Sequence, residues 1–324
     1  MNNQPFVSAI IPTYNREKLL PAAIDSVINQ TYQNWELIIV DDRSTDNTEK
    51  LVHEYMEKDK RIRYVKNTHR QGAGGARNQG IEAAGGDYIA FLDSDDEWMN
   101  PHLERMVYYL TKYPDKIDLM TANAVRKNKL TGKPYSDIIR NLEKYDYYKL
   151  EDAYVFNADT LFDITLRYGI ITIQTVVCKR DILDTIKFDE SILVQDDIML
   201  SLELARRKVK IAHLQEYHLI YWAHGENLTT SGDIKNPDKI IKIYLEVVKF
   251  YFKIFEKFRL TNKQEKTLRK SLAKMYFWYL GYSYLQLKDY IKANEYFLKG
   301  IKLRPFNLKF WKTYIARIIF RIPL

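Results

Sequence analysis

Three groups of carboxylates stand where a chain could place reacting or ligating groups. Asp93-Ser94-Asp95 sets two carboxylates two residues apart, directly after the apolar run Tyr88 to Leu92. Oxygen ligands of this kind suit Mg²⁺ or Mn²⁺, which needs only one or two protein carboxylates when substrate phosphates complete its shell. Taken alone, Asp95 and the neighbouring Asp96 fit a turn or a helix cap at least as well. Asp41-Asp42 closes a second strand-like run, Glu36 to Val40, where carboxylates serve strand-end turns. Asp196-Asp197 opens a helix-like stretch reaching Arg207. Acids at a helix N-terminus are favoured by the dipole alone.

The elements that must hold these groups alternate strand-like and helix-like runs through the first 95 residues, as in an α/β domain with a mostly parallel sheet. Val7 to Ile11 is a β-branched run stopped by Pro12, and Leu19 to Gln30 carries a helical apolar face. Thr48 to Lys58 reads as a second helix capped by Ser44 or Asp46, and Arg61 to Lys66 as a third strand. Gly72 to Gly75 reads as a flexible loop leading into a helix over Ala76 to Ala84. Ligands of open α/β sheets bind beyond the carboxyl ends of the strands, so the loops after these strands are expected to share one crevice. Residues 97 to about 225 are less regular, and from Asn236 the pattern is helical almost to the end.

With 324 residues, the chain exceeds a typical single domain and can bury a core without disulfides. Its one cysteine, Cys178, excludes a disulfide-built secreted domain and favours a reducing compartment. The formal charge is +8, and the excess of Lys and Arg sits in the C-terminal third, leaving the rest net acidic. The chain shows no nucleic-acid module, so nucleic acid is not an expected partner. The N-terminal MNNQPFVSAI lacks a basic run before a long apolar stretch, so no signal peptide is expected, and no run is long enough to span a membrane.

Four motifs in order carry a resemblance: Ala9 to Arg16 (AIIPTYNR), Leu37 to Asp46 (LIIVDDRSTD), Gly74 to Asn78 (GGARN) and Phe91 to Asp96 (FLDSDD). This succession resembles the family 2 glycosyltransferases of the GT-A fold. The resemblance implies a metal-dependent, inverting transferase that moves a sugar from a nucleoside diphosphate to an acceptor hydroxyl. It implies that Pro12, Thr13 and Tyr14 flank the base and that Asp42 accepts from a pyrimidine, making a UDP-sugar the expected donor. Arg77 would line the nucleotide-sugar pocket, although the residue alone equally fits a solvated helix position. Asp93 is implied at the ribose or behind the metal, Asp95 in coordination of Mn²⁺ or Mg²⁺, and Asp197 as catalytic base. The family's usual Glu-Asp pair is Asp196-Asp197 here, which shortens the first carboxylate. Tyr221 to Thr229 resembles a segment that closes the site, with His224 a candidate metal ligand.

The expected architecture is therefore a GT-A domain over residues 1–235, with a nucleotide half (1–96) and an acceptor half (97–235), followed by a helical region over 236–324. In that region Phe277, Leu280, Gly281, Tyr284, Tyr290, Ala293, Phe297 and Pro305 fit one tetratricopeptide-like helix pair. One repeat is too few for a solenoid, so the pair is expected to pack on neighbouring helices. In the last helix Phe310, Trp311, Tyr314, Ile315, Ile318 and Ile319 fall on one arc, with Lys309, Lys312, Arg317 and Arg321 mostly on the other. Such a helix either lies on an anionic membrane surface or covers its neighbours. The expected acceptor is a glycan or lipid-linked glycan of surface polysaccharide synthesis, and the expected location is the cytoplasm or the inner face of the membrane. The competing readings are a non-catalytic interaction protein and a nucleotidyltransferase. The intact acidic motifs weigh against the first, and Ile10 to Arg16 lacks the glycine-rich basic signature of the second.

Overall fold

The computed structural model describes residues 4–129, 131–137, 142–169, 171–223 and 236–321. The chain divides into two compact units, Met1–His224 and Gly225–Leu324.

The first unit begins with parallel strands whose residues are apolar on both faces, as strands covered on both sides must be. β1 (Val7–Thr13) and β2 (Trp35–Asp41) are almost wholly buried, and α1 (Leu20–Ile28) and α2 (Thr48–Lys58) lie between β1, β2 and β3 (Ile62–Lys66). The cap of α2 is Asn47, while Asp46 accepts from the backbone N–H and hydroxyl of Thr48 at 3.0 and 2.6 Å. After α3 (Ala73–Ala83) comes β4 (Tyr88–Phe91). The strand order β3-β2-β1-β4 places β2 on one side of β1 and β4 on the other. That reversal opens a crevice beyond the ends of β1 and β4, where Thr13 and Asp93 emerge.

The glycine-rich segment is where the structure departs from the loop expected over Gly72 to Gly75. α3 starts at Ala73, and only Gly72, at φ +131°, stays outside it in a conformation that favours glycine. Helix propensity opposes glycine here, but packing overrides it. A Cβ on Gly75 would sit 2.0 Å from the Arg70 carbonyl oxygen, and one on Gly80 would sit 2.4 Å from Ile10 Cγ2. The helix can lie this close to the sheet because these side chains are missing.

The stretch read as irregular supplies the rest of an 11-stranded sheet among the described residues. In chain order it holds β5 (Glu97–Trp98), α4 (His102–Lys112), β6 (Leu119–Asn128), β7 (Pro134–Asp137), β8 (Tyr147–Leu150), β9 (Ala153–Phe156) and α5 (Ala158–Tyr168). Then follow β10 (Val177–Lys179), α6 (Arg180–Thr185), α7 (Asp196–Arg206) and the long β11 (Ile211–Ala223). β10 runs antiparallel between β4 and β6, with Val177 opposite Ala90, while β11 runs parallel to β6. The antiparallel insertion brings the residues just before β10 alongside those just after β4.

The second unit contains α8 (Pro237–Lys257), α9 (Asn262–Lys274), a π-helical turn over Met275–Gly281, α10 (Tyr282–Gln286), α11 (Tyr290–Leu303) and α12 (Leu308–Tyr314). α12 continues as a π-helical turn over Ile315–Ile319. Its core gathers Phe277, Leu280, Ala293, Phe297 and Phe310, with the Phe277 ring 4.6 Å from Phe297 and stacked 4.1 Å from Phe310. The arc read in the last helix divides. Phe310 is buried, the Tyr314 hydroxyl donates to Asn294 Oδ1 at 2.8 Å and Ile318 packs on the core, while Trp311, Ile315 and Ile319 remain exposed.

Candidate functional site

The loops after β1 and β2 are fastened to each other. Asn15, in the left-handed region at φ +51°, accepts from the Thr45 N–H at 2.7 Å and donates its own N–H to Ser44 Oγ at 2.9 Å. The Arg16 N–H donates to Thr48 Oγ1 at 3.0 Å. These bonds fix Pro12, Thr13 and Tyr14 at the crevice mouth. Thr13 is buried with its hydroxyl unpartnered among the described residues, and the Tyr14 ring is 48 % exposed.

The two aspartates that end β2 have different surroundings. Asp41 accepts from the Tyr64 hydroxyl at 2.6 Å and the Ser44 N–H at 3.0 Å, a structural arrangement. Asp42 accepts from Asn67 Nδ2 at 2.6 Å and from the Gly72 N–H at 2.8 Å, and so ties the loop before α3 to the crevice wall.

Asp93, Asp95 and Asp96 each offer an oxygen, all within 4.8 Å of one another. Asp93 accepts from Arg77 Nη2 at 2.7 Å and from Gln174 Nε2 at 2.6 Å. Arg16 Nη2 stands 3.6 Å from Asp95. Asp96 is fully buried; its Oδ1 accepts from the Trp222 N–H at 3.0 Å, and its Oδ2 has no partner among the described residues. Burial, reinforced by the charges of Asp95 and Asp93, pushes the Asp96 carboxyl well above the usual carboxylate range. An all-oxygen set with an orphaned buried carboxylate oxygen fits a hard divalent cation.

Across the crevice, α7 starts with Asp196 and Asp197. The preceding Gln195 is held in the left-handed region at φ +69°, a strained conformation of the sort that gathers at functional sites. Arg77 Nη1 donates to Asp196 Oδ2 at 2.8 Å, so one buried guanidinium bridges Asp93 and Asp196. Burial works against its charge, but the two carboxylates outweigh that and hold it protonated above its ordinary value. The Asp197 Oδ1 accepts the Ile198 N–H at 2.9 Å. Burial and then the Asp196 charge raise the Asp197 carboxyl to about 6, with Arg77 opposing.

Pro12, Thr13, Tyr14, Asp42, Arg77, Asp93 and Asp95 thus lie on loops and one helix at the ends of β1, β2 and β4, and Arg77 links them to the α7 acids. His224 lies outside the described residues. Gln174 and Asn67 are contributors that no motif announced, and Asp196, the shortened first member of the acidic pair, proves to be the partner of Arg77. The antiparallel register of β10 on β4 brings Gln174 to Asp93, and nothing near it in sequence signals that.

A sheet of this order, with carboxylates at its switch point and an acid pair opposite, defines an α/β transferase of the GT-A type. Residues 8–168 match the family described as Glycosyl transferase family 2. An uncharacterized glycosyltransferase of Methanocaldococcus jannaschii, MJ1057, is 30 % identical over 224 residues, covering 68 % of this chain and 71 % of the relative. The Escherichia coli UDP-Glc:α-D-GlcNAc-diphosphoundecaprenol β-1,3-glucosyltransferase WfgD is 43 % identical over 129 residues, 39 % of this chain and 49 % of that enzyme. The chain thus matches about half the length of that relative. Among solved structures, Staphylococcus aureus TarS 1–349 in complex with UDP superposes with a TM-score of 0.60 at 18 % identity, covering 93 % of this chain and 81 % of that one, a likeness of fold. The chain belongs to glycosyltransferase family 2.

Proposed function

We propose that the enzyme is a metal-dependent, inverting glycosyltransferase that moves a sugar from a nucleoside diphosphate, a UDP-sugar, to a hydroxyl of a lipid-linked glycan in surface polysaccharide synthesis. The observation that carries this reading is the bridge from Asp93 through Arg77 to Asp196, which holds the acidic cluster and the base candidate Asp197 in one framework. The half-exposed Tyr14 ring offers a surface for a base, and Asp42 has acceptor capacity left for an N–H of uracil. The name of the E. coli relative specifies a UDP-glucose donor and a diphosphoundecaprenol-linked acceptor, and the S. aureus structure holds UDP. Both are in keeping with this donor and acceptor, and with work at the cytoplasmic face of a membrane.

Asp95, flanked by Asp93 and Asp96, would hold Mn²⁺ or Mg²⁺. Such an ion supplies electrostatic stabilisation to the charge that gathers on a leaving diphosphate. Asp197 takes the proton of the acceptor hydroxyl as its oxygen bonds to the anomeric carbon. The bond from that carbon to the diphosphate oxygen breaks, and the electron pair leaves with the diphosphate. One in-line displacement inverts the configuration. A base with a pKa near 6 is stronger than an ordinary aspartate and still ionised at neutral pH, a useful compromise for proton transfer. Arg77 partners Asp196 through Nη1 and Asp93 through Nη2, so both carboxylates beside the base share one cation.

The test is a screen of nucleotide sugars with Mn²⁺, reading nucleoside diphosphate release, with Asp95→Ala as control. Release from at least one UDP-sugar that the control lacks is expected. No release from any donor, release that the control shares, or pyrophosphate as product would overturn the reading.

A further inference from the structure

The last helix carries two apolar faces, and one of them is spare. Phe310 (1 % exposed), Tyr314 and Ile318 dock it on the second unit's core through Phe277 and Asn294. Leu308 (71 % exposed), Trp311, Ile315 and Ile319 (58 %) follow one another at spacings of three and four and form a separate exposed stripe. Phe306 and Phe320 extend it at the two ends, both more than two-thirds exposed. An apolar run of this kind with no covering element among the described residues marks an interaction site.

The charges around the stripe select its partner. From Tyr296 to the end the sequence has no Asp or Glu, while Lys309, Lys312, Arg317 and Arg321 lie in or just beyond the helix. The Trp311 indole N–H donates to the Pro305 carbonyl at 2.7 Å, which fixes the ring at the start of the stripe. A second copy docking through the same stripe would bring both sets of cations together with no acid between them, since a two-fold contact pairs a patch with itself. An anionic lipid surface meets both needs, taking the apolar side chains at the acyl boundary and the cations at the phosphates. No helix among the described residues is long and apolar enough to cross a membrane, so the contact would be in the plane of the surface.

We propose that the Leu308–Ile319 stripe docks the enzyme on an anionic lipid bilayer, with the helix lying flat and its Phe310 face still packed on the protein. This deepens the reading of a lipid-linked acceptor, because it holds the enzyme at the surface where such an acceptor resides. It names a different face from the sequence arc, since half of that arc is core.

The test is sedimentation of the full chain with vesicles of phosphatidylcholine alone or with about a third phosphatidylglycerol, without donor or metal, so that failure here leaves the transfer reading standing. Binding at least tenfold tighter to the anionic vesicles is expected, weakening with salt. Ile315→Ser with Ile319→Ser should lower it at least tenfold, and Lys309→Glu with Lys312→Glu should erase the anionic preference, both with unchanged thermal melting. Light scattering runs alongside. Equal binding to both vesicle types, variants that bind like the wild type, or a dimer that the serine variant dissolves while vesicle binding persists would each overturn the proposal.

Discussion

Arg77 and Asp196, 119 residues apart in the chain, meet at 2.8 Å in a buried ion pair, and the same guanidinium holds Asp93 at 2.7 Å. Helix α3, which carries Arg77, is thereby pinned to the first turn of α7, where the proposed base stands. Only the fork of an arginine can serve two carboxylates in this way.

Replacing Arg77 by Met leaves the buried Asp196 and the part-buried Asp93 without their cation. Losing one partner of a buried pair costs about 3–5 kcal/mol. The expected result is a clear fall in melting temperature, read by thermal denaturation, together with weakened nucleotide binding. Arg77→Lys should recover little of either.

The acid limb of the transfer rate should follow Asp197, which must be ionised to accept a proton. With its carboxyl at about 6, the rate should fall as pH drops through that region. Asp196 raises Asp197 and Arg77 lowers it, so the two substitutions move the limb in opposite directions. Asp196→Asn should shift it to lower pH, and Arg77→Met, where enough enzyme stays folded, to higher pH. A pH profile of kcat at saturating donor checks both signs.

Gly75→Ala tests the close approach of α3. A Cβ there would overlap the Arg70 carbonyl, so the 67–72 loop must shift and with it the bonds from Asn67 and Gly72 to Asp42. A destabilisation of roughly 1–3 kcal/mol is expected for such overpacking, accompanied by weaker UDP binding in titration calorimetry.

Much of this framework is legible in the sequence. The apolar runs before Pro12, Asp41 and Asp93 mark the strands, and the carboxylates after the second and third of them mark the crevice. The glycine segment misleads because its composition signals a loop, whereas the need is for a helix that can approach Arg70 and Ile10 without side chains. Gln174 and Asn67 carry no local signal, since antiparallel pairing and loop closure over long separations create their partnerships. In the last helix, periodicity locates the apolar residues but cannot tell Phe310, which meets Phe277, from Ile319, which meets solvent.

Two buried histidines should make stability depend on pH. Neither ring nitrogen of His102 has a partner among the described residues, and the ring lies 4.6 Å from Trp98 and 5.5 Å from His218. Burial, then His218, holds His102 well below its usual value, and burial lowers His218 against the pull of Glu216. The unfolded chain therefore binds protons more readily, and stability is lost as pH falls through about 6.5. His69, raised chiefly by its bond to Glu82, acts in the opposite sense, so its contribution is present below about 6.5 and fades as pH rises through its higher folded value. His102→Phe should thus flatten the fall in melting temperature between pH 7 and 5 relative to the wild type.

The most direct measurement compares Asp197→Asn with the wild type in both transfer and donor binding. Asparagine keeps the shape and cannot take a proton at neutral pH. A loss of about 10²–10⁴-fold in kcat is expected, with the dissociation constant for UDP in Mn²⁺ changed by no more than about twofold. Near-normal transfer by the variant would contradict the assignment of Asp197 as the base.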